Sequence, residues 1–83
     1  MIAILLHIGQ DISIFSKDIV AIIDYSTIQE SESNQEFLKT AEEEGFLMSL
    51  TDKPHSFVVT IDRIYLSPIS AITLAKRVGE FPK

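Results

Sequence analysis

The chain has 83 residues, 46% of them hydrophobic, no cysteine, and a formal net charge of −5. That composition describes one small globular domain and excludes a disordered chain or a disulfide framework; the acidic balance argues against a generic basic nucleic-acid binder. A domain this size buries only roughly 60% of the surface its unfolded chain exposes, so self-association is the remaining common source of stability.

The first strand is expected from Ile2 to Ile8, with Ile2, Ile4, Leu6 and Ile8 on one face. Ala3, Leu5 and His7 take the other face, which is apolar enough to suggest cover on both sides. This N-terminal run lacks the basic start and cleavage site of a secretion signal and is far short of a membrane span, so a cytoplasmic protein is expected. Gly9-Gln10-Asp11 marks a turn, and Ile12–Phe15 reads as the partner strand. After the polar break Ser16-Lys17-Asp18, Ile19–Ile23 reads as a third, buried strand.

Ser26 to Glu32 is polar and acidic and reads as a loop. Ser33 and Glu36 have the spacing of a capping box, so a helix is expected from there to about Glu44, with Phe37, Leu38 and Ala41 as its apolar stripe and Gly45 as its stop. Phe46–Leu50 reads as a strand, and Thr51–His55 as a loop. The segment Ser56–Val78 carries the most structural information. Phe57–Ile61 and Ile64–Leu66, split by Asp62-Arg63, form an expected hairpin with Val59 in its buried part. Pro68 ends the second strand, Ser70 caps a helix, and Lys76 and Arg77 fall in its last turn. The expected fold is α+β, a small and mostly antiparallel sheet with two helices in one domain spanning residues 1–83.

Residues that could carry chemistry are sparse. Glu42, Glu43 and Glu44 are consecutive on a helix and point about 100° apart, so they cannot converge on one metal ion; they read as a solvated face. His7 reads as a sheet-face histidine among apolar neighbours. His55, beside Lys53 in a loop, reads equally as a phosphate contact or a plain surface residue. No nucleophile elbow, phosphate-cradling glycine loop or paired histidine and carboxylate is present, so neither an enzyme nor a cofactor is expected. The charge is uneven: residues 1–50 hold nine of the twelve acids and two of the seven Lys and Arg residues, which leaves the remainder mildly basic.

The segments LHIGQD, DIVAIIDY, EFLKTAEEEG, KPHSFVVT and IYLSPISAITLAKR together resemble the RemA/RemB-like family of extracellular matrix regulatory proteins, closer to its RemB branch. The resemblance implies a domain similar to LytTR-type DNA-binding domains, assembly into a homo-oligomeric ring, and binding of double-stranded DNA through phosphate contacts. Carried onto this sequence, the contacts fall on Lys17 and on the Lys53-Pro54-His55 loop. The loop departs from the arginine-rich pattern, and a lysine lacks the planar fork that grips phosphate bidentately. Two functions follow as expectations: a ring-forming, DNA-associated transcriptional regulator of biofilm matrix genes, or an oligomeric interaction module that does not bind DNA. Lys76 and Arg77 are the nearest competing cations.

Overall fold

A computed structural model describes residues 5–79. The elements in order are β1 (Leu5–Gly9), β2 (Ile12–Phe15), a 3-10 turn (Ser16–Asp18), β3 (Ile19–Asp24), α1 (Thr27–Glu30), α2 (Glu32–Glu43), β4 (Leu47–Ser49), β5 (Ser56–Thr60), β6 (Ile64–Ser67) and α3 (Ala71–Gly79). The fold is α+β, as expected. Strands β1 and β2 form an antiparallel hairpin by themselves, and the other four form a sheet in the order β3-β5-β6-β4. Its β3/β5 and β5/β6 pairs are antiparallel, and β4 pairs with β6 in parallel.

Because side chains alternate along a strand, each row across the sheet commits to one face. Ile22, Val58, Tyr65 and Met48 are aligned by register and all belong to one core cluster, with Leu6, Ile8 and Ile14 of the hairpin, Leu50, and Leu74 of α3. Ile23, Phe57 and Leu66 lie in the next row and pack on the other face with Leu38 and Ala41 of α2. The molecule is therefore three layers deep: α2 with α1, then the sheet, then the hairpin with α3. Phe57 and Val58 are wholly buried, one on each face. Val59 is only half-buried, which moves the centre of the core by one residue from its expected place.

Two wholly buried serines join the layers. Ser67 Oγ donates to the Ile8 carbonyl at 2.6 Å and accepts from Ile69 N at 3.0 Å. Ser56 Oγ donates to the Ile69 carbonyl at 2.6 Å. Gly9 is fixed by the same junction: its φ is +124°, and a Cβ there would stand 2.7 Å from Pro68 Cδ. The turn that follows puts Gln10 and Asp11 at φ 51° and 61°, the left-handed geometry of a two-residue hairpin turn.

Several elements differ from the expectation. Ile2, Ala3 and Ile4 lie outside the described residues. The second face of β1 is uncovered within one chain, since Leu5 and His7 are exposed. Strand β3 is an edge strand, half-buried rather than buried, with Val20 exposed. The expected loop from Ser26 contains the short helix α1, and the cap of α2 lies two residues before the expected one, at Ser31, whose Oγ accepts from Asn34 N. The earlier start is held by contacts back to α1: Asn34 Nδ2 donates to Thr27 Oγ1 and Gln35 Nε2 to the Ile28 carbonyl. Those reaches require Asn34 and Gln35 in the first turn of α2. At the other end Gly45 takes φ +82°, Gly45 N donates to Glu42 O and Phe46 N to Ala41 O. That paired pattern closes the helix and uses the freedom of glycine.

The β5–β6 turn also departs from the two-residue expectation. Ile61 leaves the strand and is 73% exposed, so the turn spans Ile61, Asp62 and Arg63. Thr60 replaces the missing glycine as the organiser: its backbone N donates to Arg63 O, and its hydroxyl accepts from Arg63 N and lies 3.0 Å from Asp62 Oδ1. α3 begins as expected, with Ser70 Oγ accepting from Thr73 N and Ser70 O from Leu74 N.

Candidate nucleic-acid interface

Lys17 sits in the 3-10 turn between β2 and β3. It is exposed, with Nζ 5.8 Å from the centre of the Phe15 ring, a cation–π contact that lays the side chain over the hairpin. The turn beneath it is anchored, because Ile61 N donates to Asp18 O.

Lys53 sits in the loop after β4. Thr51 Oγ1 accepts from Lys53 N and Ser49 Oγ donates to Thr51 O, so the backbone is shaped locally while the lysine side chain stays exposed. His55 is held more firmly: its N donates to Ser67 O and its carbonyl accepts from Tyr25 N. The backbone is thus clamped between the ends of β3 and β6, with an exposed imidazole. Asp24 lies close by, its carboxyl held below the usual aspartate range chiefly by the Ser26 N–H, with a smaller attraction to His55.

The antiparallel register settles how these residues relate. Ile19 pairs with Thr60 and Asp24 with Ser56, so Lys17 stands at one end of the β3/β5 ladder and Lys53 with His55 at the other. Five residue steps of strand separate the ends, about 17 Å. Lys53 and His55 form one location and Lys17 a second, and within one chain they do not merge into a patch.

The fold instead brings Arg63 to the Lys17 end, because the β5–β6 turn folds back onto Asp18. Arg63 is exposed and was not among the expected contacts. Its signal was its position in the recognisable turn; what the sequence did not reveal is which strand end that turn meets. Asp18 and Asp62 border the same corner, lining a small polar hollow of about 170 Å³ with Thr60 and Tyr65. Of the competing cations, Lys76 is exposed, whereas Arg77 is half-buried and donates to the His7 carbonyl at 3.2 Å, joining α3 to β1. His7 faces solvent from the sheet, and Glu42, Glu43 and Glu44 are all exposed, consistent with a solvated face. Among the described residues no cluster of three or more His, Cys, Asp or Glu could hold a metal ion, and no helix is long and apolar enough to cross a membrane.

What these features define is a small α+β domain that presents exposed cations from turns at both ends of one strand ladder. The chain belongs to the RemA-like family: residues 5–78 match it, under the description Extracellular matrix regulatory protein A-like. It is also similar to Extracellular matrix regulatory protein B of Bacillus subtilis (strain 168), at 39% identity over 72 residues, covering 87% of this chain and 86% of that protein.

Proposed function

We propose that the protein is a regulator of biofilm-matrix genes that assembles into a homo-oligomeric ring in the cytoplasm and binds double-stranded DNA through Lys17, Lys53 and His55. Family membership across nearly the whole chain is the observation that carries this reading. The geometry supports it in one respect: each cation projects from a turn whose backbone is hydrogen-bonded to a strand end, so its position is fixed when copies repeat it. Cation sites at opposite ends of a strand ladder about 17 Å long are weak on one chain, and a ring supplies the repetition that turns many weak contacts into one strong engagement.

A second reading is kept because specific observations favour it. The net charge is −5, and the Lys53-Pro54-His55 loop carries no arginine. On that reading the protein is an oligomeric interaction module without DNA binding. Fluorescence anisotropy with duplex DNA at low and moderate salt separates the two. The expected result is salt-dependent binding that the combined Lys17→Glu and Lys53→Glu variant abolishes at unchanged oligomer mass. Each lost phosphate contact should flatten the slope of log K against log salt by about 0.9. A parent protein that fails to bind even at low salt establishes the interaction module instead.

A further inference from the structure

Seven large hydrophobic residues are exposed among those described, and three of them rim a single concavity. Phe37 and Phe46 border one side and Ile61 the other, over a floor of Ala41, Val59 and Ile64. The groove has a volume of about 520 Å³ and an almost wholly apolar lining. It exists because α2 covers only part of its sheet face and because the β5–β6 turn holds Ile61 out of the strand. An uncovered apolar concavity of this kind marks a binding surface.

Charge identifies what fits there. Glu44 and Asp62 lie at the rim against the single cation Arg63. The groove side is therefore acidic. The matching surface is present elsewhere on the same chain. α3 contains Lys76 and Arg77 and no acid. Its exposed stripe pairs Ile72, 68% exposed, with Lys76 one turn later. α3 packs on the sheet face opposite α2, since Leu74 and Ala41 fall in the two separate core clusters.

We propose that the groove between α2 and the β5–β6 turn receives the outer stripe of α3 from a second copy of this chain, Ile72 entering among Phe37, Phe46 and Ile61 and Lys76 meeting Glu44. The proposal rests on the homo-oligomer reading above and deepens it by assigning the two contact surfaces. Different patches meet, one from each copy, so the interface is head-to-tail, the type that closes into a ring when the rotation per subunit permits. Each copy then has one acceptor and one donor surface, and every added copy renews both.

Light scattering on the full-length protein tests this with substitutions at exposed positions, each checked for retained circular dichroism. Ile61→Glu and Ile72→Glu should each reduce the assembled mass to that of the 9.3 kDa chain. Mixing the two should give a particle of two chains and no larger, because one intact groove meets one intact stripe. Glu44→Lys and Lys76→Glu should each weaken assembly, and the combined exchange should restore it. If the parent is monomeric at high micromolar concentration, the homo-oligomer reading fails and this assignment with it. If the parent assembles and Ile61→Glu keeps its mass, the groove faces something other than a second copy and only this assignment is overturned. If the charge exchange does not restore assembly, the pairing of these two surfaces is wrong.

Discussion

The two faces of the four-stranded sheet are finished differently. On one, the β1–β2 hairpin and α3 close over Val58, and the junction is tied by a buried hydroxyl, Ser67 to Ile8, between residues 59 apart in sequence. On the other, α2 covers Phe57 and part of Ile64 and stops, leaving the groove beside it. The closed face uses its apolar surface within the chain, which supplies stability. The half-covered face retains apolar surface for another molecule at the expense of stability in isolation. For a domain this small the two demands compete directly, because there is little core to divide.

Substitutions one residue apart on β5 probe this difference most strongly. Val58→Asp places a charge against the closed face with no partner, and several kcal/mol are lost. An 83-residue domain holds only about 4–12 kcal/mol in total, so loss of native circular dichroism at 25 °C is expected. Val59→Asp points toward the groove, where in the dissociated chain the carboxylate stays hydrated; a loss of about 1–2 kcal/mol is expected, with the chain's fold retained. Equal urea midpoints for the two variants would show that the faces are not distinct.

A smaller effect sharpens the same contrast at the closed junction. Ser67→Ala removes the hydroxyl donor from the buried Ile8 carbonyl and the acceptor from Ile69 N. Orphaning buried polar groups costs about 1–3 kcal/mol. The loss should appear locally as faster amide hydrogen exchange in β1 and β2, with α2 unchanged. Uniformly faster exchange across both layers would mean that the serine supports the whole core rather than the junction.

These contrasts also show what could be read from the sequence. Six strands, the α2 and α3 helices and the role of Ser70 follow from periodicity and capping chemistry, which are local. The Ser56–Val78 segment was legible for the same reason. α1 was missed because its four residues are too few to show a helical period, and the Ser31 cap was missed because only the Ser33 frame, two residues on, has the Ser-x-x-Glu spacing, Ser31 being followed three residues later by Asn34. Neither the edge position of β3 nor the exposed Leu5 face could be read, since both depend on strand order. The candidate site was legible as residues but not as a surface: Lys17, Lys53 and His55 are visible in the sequence, whereas their separation across the ladder, and the arrival of Arg63 beside Lys17, are consequences of antiparallel register. The groove was the least legible feature, because its walls come from α2 and a turn whose proximity is tertiary.

The smallest expected effect lies where β3 leads into the half-covered layer. Asp24 Oδ1 accepts from Ser26 N at 2.9 Å, and the Asp24 carbonyl accepts from Thr27 Oγ1 at 2.8 Å, so this residue shapes the entry to α1. The Ser26 hydrogen bonds hold its carboxyl below the usual aspartate range, opposed by slight desolvation and assisted by His55. The folded state therefore binds the proton less readily than the unfolded one. The resulting stability is fully present above the ordinary aspartate value and is lost as pH falls through the depressed one, below about pH 4. Asp24→Asn keeps an acceptor for Ser26 N but cannot titrate. Its melting temperature should lie slightly below the parent's near neutrality, where it lacks the charge, and the two should converge as the solution is acidified. The side chain is fully exposed, so the difference should be small. A variant that loses stability equally at every pH would show that Asp24 acts through its packing at the α1 entry rather than through its charge.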